Sequence, residues 1–104
     1  MKELTPSQAK ELLDTDNNVQ VLDVREKWEH DICKIEQAKL ISLGKLSNNV
    51  DNLDKEKSIL CYCHHGIRSL QACVYLESLG FECFNLKGGV DRWSVEIDSK
   101  VARY

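Results

Sequence analysis

The sequence predicts an α/β fold of three layers, in which a central, mainly parallel β-sheet is flanked by helices on both faces. Two observations carry this prediction. Short apolar segments with strand character alternate with segments of helical periodicity, and the strongest strand is followed at once by a loop and a helix. The length of 104 residues is that of one domain, so we expect a single domain over residues 1–104.

The first half of the chain contains two predicted helices and two predicted strands. Thr5–Gln8 combines a capping hydroxyl, a Pro at the first helical position and a Gln three residues after the Thr, which predicts a helix over residues 6–14. Residues 19–24 are apolar and rich in valine, which predicts a buried strand. Residues 26–30 are expected to form a short helical turn, and residues 39–42 a weaker strand.

The second half repeats this alternation more clearly. Residues 58–63 form the most apolar strand candidate. Residues 69–79 have helical spacing, and Gly80 is a natural cap. A further strand is predicted over residues 81–86, and a last helix follows the turn Gly88–Gly89. The expected buried stripe of the long helix consists of Leu70, Cys73, Val74 and Leu79.

Composition excludes several classes of protein. The longest apolar runs are the length of a strand, so we expect no membrane-spanning helix and no membrane partner. The formal net charge is −3, and the basic residues form no run, so we expect no nucleic-acid partner. The sequence begins without an apolar export signal, which predicts a cytoplasmic location. Five cysteines are an odd number, so at least one thiol is expected to be free.

The segment Cys63–Arg68 combines the residues needed for nucleophilic chemistry. It lies between the strongest strand and a helix, where parallel sheets bind ligands. Unpaired amides at a helix start stabilise negative charge, which favours Cys63 as a thiolate nucleophile. Gly66 lets the backbone curl, and Arg68 adds positive charge. Cys63 could instead be one more buried strand cysteine, but its place at the strand–loop junction favours the nucleophile.

Three ordered motifs resemble one known family. The segment Cys63–Ser69 resembles the active-site loop of single-domain rhodaneses, the thiosulfate and persulfide sulfurtransferases. Leu22–Glu29 resembles the first signature of that family, and Leu79–Phe81 with Leu86–Trp93 resembles its closing one. The family's usual Gly-His-Ile-Pro-Gly-Ala segment appears as Cys33–Ala38, of which only the Ile and the final Ala match.

The resemblance implies a rhodanese-like fold and a sulfurtransferase reaction through a Cys63 persulfide. It implies a small-molecule donor, thiosulfate or a persulfide, and as acceptor a thiol, cyanide or a sulfur-accepting protein. The chemistry requires no cofactor and no metal. The substrate-binding loop implied by the resemblance consists of His64, His65, Gly66, Ile67 and Arg68.

Supporting roles are predicted for a few further side chains. The loop histidines are expected to bind substrate and not to act as general bases. Arg68 either contacts substrate or anchors the loop through Asp23, which ends a neighbouring strand. Arg25 either extends the positive rim of the pocket or is a solvated charge. Ser69 is expected to support the loop, and Trp28 and Trp93 are expected to pack. The last four residues are expected to form a solvated tail.

Other functions compete with the sulfurtransferase. Cysteine-dependent phosphatases and arsenate reductases of similar architecture need five residues between the nucleophile and the phosphate-binding Arg, whereas four separate Cys63 from Arg68 here. A zinc site is a second alternative, but its four candidate ligands have unsuitable spacing: Cys61, Cys63, His64 and His65. A rhodanese-like module that binds protein or relays sulfur without catalysis is a third. Resolving thiols also remain open, with Cys33, Cys73 and Cys83 as candidates.

Overall fold

A five-stranded sheet organises the protein. The computed structural model describes residues 1–104, and every strand pair in it is parallel. The strand order is β1-β5-β4-β2-β3. The α/β class and the parallel sheet predicted from the sequence are therefore confirmed. The strands are β1 (Lys2–Leu4), β2 (Val19–Asp23), β3 (Lys39–Leu40), β4 (Ser58–Tyr62) and β5 (Cys83–Leu86).

The chain also forms four α-helices and two short 3-10 helices. A capping box begins the first helix: the Thr5 side chain accepts from the Gln8 amide, and the Gln8 side chain accepts from the Thr5 amide. The helices are α1 (Pro6–Thr15), α2 (Lys27–Ile32), α3 (Ile67–Ser78) and α4 (Gly89–Glu96). The 3-10 helices cover Leu43–Asn48 and Val50–Asn52.

Alternation along the strands divides the core between the two faces of the sheet. In β4, Leu60 and Tyr62 face one side, while Ile59 and Cys61 face the other. The side of Leu60 is covered by α1 and α4, and the side of Cys61 by α3 and the first 3-10 helix. The result is the predicted three-layer arrangement, which aligns the carboxyl ends of the strands at one edge.

The structure differs from the sequence prediction in several elements. The edge strand β1 was not predicted, because Lys2–Leu4 has a single buried side chain and is recruited by pairing with β5. The helix α3 begins at Ile67 and not at residue 69. The predicted stripe on α3 was wrong in part, since Val74 is 62% and Leu79 37% exposed. The buried face of α3 consists of Ser69, Ala72, Cys73 and Leu76.

The two tryptophans differ in their packing. Trp93 of α4 is buried in the core, as expected. Trp28 of α2 is 61% exposed, so the expectation that it packs in the core was wrong; its ring forms a T-shaped pair with the Tyr104 ring, with centroids 6.0 Å apart.

Among all the helices, none combines the length and the apolar character that crossing a membrane requires.

Candidate active site

The loop from Cys63 to Gly66 joins β4 to α3 at the carboxyl edge of the sheet. Gly66 adopts a left-handed conformation with φ of 103°, directly before the first residue of α3. Residues other than glycine rarely adopt this backbone conformation. The turn at Gly66 reverses the chain, so that the start of α3 points its backbone amides back toward Cys63.

Two backbone amides converge on the Cys63 sulfur. The N–H of Gly66 donates to Sγ over 3.1 Å, and the N–H of Ser69 donates over 3.4 Å. The Ser69 hydroxyl also lies 3.4 Å from the sulfur. Only 1% of Cys63 is exposed. The sulfur therefore sits in an enclosed site whose donors are arranged to stabilise negative charge.

Asn85 of β5 fixes the position of Ser69 and of the turn. The Ser69 hydroxyl donates to Asn85 Oδ1 over 2.5 Å, and Asn85 Nδ2 donates to the Gly66 carbonyl over 3.1 Å. Asn85 is 1% exposed. Sequence reasoning missed this residue. The sequence does contain an indication of its role: Asn85 is the one amide side chain in an otherwise apolar strand, and a buried polar group of this kind requires hydrogen-bond partners.

The start of α4 holds the same loop from the other side. The N–H of Val90 donates to the Cys63 carbonyl over 2.9 Å, and that of Asp91 donates to the His64 carbonyl over 3.2 Å. A Cβ on Gly89 would overlap both carbonyl oxygens. The Gly88–Gly89 turn therefore lies against the loop, and the close approach requires glycine at position 89.

Arg68 anchors the loop through Glu29 and not through Asp23, so the predicted partner was wrong. Its guanidinium donates to both Glu29 oxygens, over 2.6 and 2.8 Å. These bonds lower the pKa of Glu29 to about 2 and raise the pKa of Arg68. Sequence reasoning missed Glu29, whose side chain α2 places in the interior.

Asp23 forms its ion pair with Arg25, and both side chains are fully buried. Arg25 donates to Asp23 through Nε over 2.9 Å and through a terminal nitrogen over 2.7 Å, and to the Cys33 carbonyl over 2.6 Å. The predictions that Arg25 forms the pocket rim or a solvated charge were both wrong. The pair instead fixes the chain after β2, and Tyr62 and His30 complete the bonding of the Asp23 carboxylate.

The last residue packs on the loop, which contradicts the predicted solvated tail. The Tyr104 ring stacks on His64 with centroids 3.9 Å apart, and His64 stacks on His65 at the same distance. The Tyr104 hydroxyl donates to Glu29 over 2.7 Å and accepts from Arg25 over 2.8 Å. Burial and the neighbouring His65 lower the pKa of His64 below its ordinary value.

The four zinc ligands considered from the sequence do not converge. The Cys61 thiol lies with those of Cys73 and Cys83, whereas the Cys63 sulfur faces Gly66 and Ser69. The histidine rings stack beside Tyr104. The loop therefore does not form the metal site that adjacency in the sequence allowed.

Comparison with known proteins places this geometry in a family. A family model described as Rhodanese-like domain matches residues 5–96. The chain belongs to the rhodanese-like domain family. Over 100 residues it is 34% identical to "Putative sulfurtransferase YtwF" of Bacillus subtilis (strain 168), covering 96% of this chain and 97% of the relative. It is 35% identical over 77 residues to "Thiosulfate sulfurtransferase GlpE" of Coxiella burnetii (strain RSA 331 / Henzerling II), covering 73% and 72%.

A solved rhodanese-like structure agrees over the whole chain. The crystal structure of a rhodanese-like domain protein from Staphylococcus aureus has a TM-score of 0.86 and 30% identity, and covers 100% of this chain and 99% of that one. The rhodanese-like match includes β2, the Cys63 loop, α3 and α4. The strand β1 and the stacking Tyr104 lie outside the matched range. Relatives with sulfurtransferase names support the transferase class.

Proposed function

We propose that the protein is a sulfurtransferase that carries sulfane sulfur on Cys63, from thiosulfate or another persulfide donor to a nucleophilic acceptor. The observation that carries this proposal is the convergence of the Gly66 and Ser69 amides on the Cys63 sulfur at the start of α3. A thiolate and a persulfide anion both gain from such fixed donors. The sulfurtransferase names of two relatives support the same reaction, and one of those names specifies thiosulfate.

The reaction consists of two displacements. The Cys63 thiolate attacks the outer sulfur of thiosulfate, the sulfur–sulfur bond of the donor breaks, and sulfite leaves with the bonding electron pair. Cys63 then carries a persulfide anion. An acceptor such as cyanide attacks the terminal sulfur, forms thiocyanate and releases the Cys63 thiolate. Neither displacement takes electrons from another molecule or gives electrons to one, so the cycle needs no external oxidant or reductant.

The residues of the loop and its surroundings have different roles in this reaction. The Gly66 and Ser69 amides hold the sulfur anion. Arg68 rigidifies the loop through Glu29 and is a positioning residue. A cavity of about 180 Å³ lies beside the loop, lined in part by His65, Gly66 and Ile67. Lys87 lines the same cavity and offers a positive charge to an anionic donor, while Glu3 lines it with the opposite charge.

Access to the sulfur requires movement of the loop, because 1% of Cys63 is exposed. Small donors and acceptors, such as thiosulfate and cyanide, need the smallest opening, and an acceptor thiol on another protein needs a larger one.

A cytoplasmic location, where thiols stay reduced, suits a chain with five free cysteines.

Steady-state kinetics with thiosulfate and cyanide test the proposal. Wild type is expected to give parallel double-reciprocal lines, the pattern of a two-step displacement. Cys63→Ser is expected to have no measurable activity. The matched control is Cys61→Ala, two residues earlier on the same face of β4, which is expected to keep the activity. Turnover by Cys63→Ser, or no turnover by folded wild type with any sulfane donor, would overturn the proposal and favour a non-catalytic module.

A further inference from the structure

Three buried thiols meet in the core between α3 and the sheet. Cys61 lies on β4, Cys83 on the adjacent β5 and Cys73 on α3. Their sulfur atoms all lie within 4.8 Å of one another. None of the three residues is more than 2% exposed. Three separate elements thus bring together a set of soft ligands that the sulfurtransferase reaction does not use.

The backbone explains why the three sulfurs converge. In the pairing of β4 with β5, Ile59 lies opposite Cys83 and Cys61 lies opposite Asn85, so Cys61 and Cys83 are diagonal neighbours. Both point to the face that α3 covers, where Cys73 belongs to the buried side of the helix. The surroundings are apolar, with Ala72, Leu76, Phe81 and Ile59 in the same core cluster.

We propose that Cys61, Cys73 and Cys83 form a binding site for one trivalent thiophilic ion of the chemical class of arsenite. Thiol sulfur selects soft ions. With bonds of about 2.3 Å and the pyramidal geometry that the lone pair of trivalent arsenic imposes, the three sulfurs of such a site lie about 3.5 Å apart, so the observed triangle needs to contract by up to about 1.3 Å. The three thiols therefore require only small side-chain adjustments to share one ion.

Charge decides which ion suits this site. Arsenous acid exchanges its three hydroxyls for three thiols: three arsenic–oxygen bonds break, three arsenic–sulfur bonds form, and the thiol protons leave in three water molecules. The oxidation state is unchanged, and the product is neutral. A divalent ion such as zinc on three thiolates would leave a net negative charge in an apolar core, which is costly without a cation.

The groups around the cluster agree with a neutral occupant. The Met1 amine and the Glu77 carboxylate, which lie close enough to influence the thiols, bind each other over 2.8 Å. Neither of these charges is therefore free to balance an anion in the core, and arsenite exchange keeps the core free of charge.

Occupancy would also connect three elements of the fold. Because the thiols are buried, the ion enters only when α3 opens locally against the sheet. Once bound, it links α3 to β4 and β5, and binding to the folded state alone raises the unfolding temperature by mass action. This consequence depends on the cluster and is independent of the Cys63 reaction.

The test incubates reduced full-length protein with sodium arsenite, removes the excess and measures native mass and unfolding temperature. Wild type is expected to gain one arsenic atom, to lose three hydrogens and to unfold at a higher temperature. Cys73→Ala is expected to weaken binding by at least about tenfold, since even groups outside the ligand set change affinity by this much. The matched control is Cys33→Ala, a buried cysteine outside the cluster, which is expected to bind as wild type does.

A second measurement keeps the proposal testable if the variant fails to fold. X-ray absorption at the arsenic edge of loaded wild type is expected to show three sulfur neighbours and no oxygen. A failure of wild type to bind arsenite, a full loss of binding in Cys33→Ala or unchanged binding by folded Cys73→Ala would overturn the proposal. So would arsenic–oxygen bonds, or tighter binding of zinc than of arsenite at the same three cysteines.

Discussion

Cys61 and Cys63 lie two residues apart on the same face of one strand and its continuation, yet their sulfur atoms meet different neighbours. The Cys63 sulfur accepts from two backbone amides at the start of α3. The Cys61 sulfur lies beside two other thiols, in a core cluster of apolar side chains. Both residues are at most 1% exposed, so burial does not distinguish them.

The direction of the surrounding backbone dipoles therefore determines which chemistry suits each cysteine. At the end of the strand the backbone turns, and its amides point at the sulfur, which suits an anion. Within the strand the amides are used by the sheet, so only side chains remain to surround Cys61. Such a site suits a neutral thiol or a neutral complex with an ion.

We expect a substitution at Gly89, where α4 packs against the Cys63 loop, to lower stability and activity more than the other substitutions considered below. In Gly89→Ala the new Cβ would meet the carbonyl oxygens of Cys63 and His64, at a backbone φ of 65°. We expect the free energy of unfolding to fall by about 3 kcal/mol and the thiosulfate activity to fall at least about tenfold.

The matched control for this substitution is Gly44→Ala, where a Cβ would meet no atom within 4 Å. We expect its unfolding free energy to stay within about 0.5 kcal/mol of wild type. Urea titration and the sulfur-transfer assay measure both quantities. Equal stability and activity of the two variants would show that the close approach of α4 does not hold the loop.

A smaller effect is expected from the hydroxyl that joins the loop to β5. Ser69→Ala removes a contact of the Cys63 sulfur and leaves Asn85 Oδ1 without its donor. We expect kcat/KM to fall about tenfold and the unfolding free energy to fall by about 1 to 2 kcal/mol. Ser78→Ala at the exposed end of the same helix is the control, and an equal effect of both substitutions on kcat/KM would contradict the assigned role.

The smallest expected effect concerns the anchor of the loop and depends on pH. The pKa of Glu29 is about 2 in the folded chain, below its ordinary value of 4.5, because Arg68 donates two hydrogen bonds. A lowered pKa contributes stability that is complete above about 4.5 and is lost as the pH falls through about 2.

Glu29→Gln should therefore be less stable than wild type by about 1 kcal/mol at pH 7, a modest value because Arg68 is partly exposed. The difference between the two proteins should shrink as the pH falls from 5 toward about 2. Denaturant titrations over this range measure it, with Glu11→Gln on the exposed face of α1 as control. A difference independent of pH would contradict the ion-pair explanation.

Much of the fold could be predicted from the sequence, because strand and helix patterns are local. The apolar run at residues 58–62 and the capping box at Thr5 identify β4 and α1 without any tertiary information. The strand β1 could not be predicted in this way. Its three residues have little strand character, and they become a strand only because the edge of β5 offers hydrogen-bond partners.

The candidate site was less predictable, since its contacts join residues far apart in the chain. Asp23 ends a strand and Arg68 ends the loop, which suggested an ion pair between them. In the structure Asp23 instead binds Arg25, and Arg68 binds Glu29 of α2. The three-thiol cluster also depends on register and helix rotation. Neither property can be obtained from the spacing of Cys61, Cys73 and Cys83 alone.

Mass spectrometry that locates the transferred sulfur distinguishes Cys63 from the other cysteines. Reduced wild type is incubated with thiosulfate, freed of excess donor and analysed as intact protein and as alkylated peptides. We expect a gain of one sulfur atom, carried by the peptide that contains Cys63 and removed by cyanide as thiocyanate. Extra sulfur on Cys61, Cys73 or Cys83, or an equal gain by Cys63→Ser, would contradict the assignment of the reaction to the amide-lined cysteine.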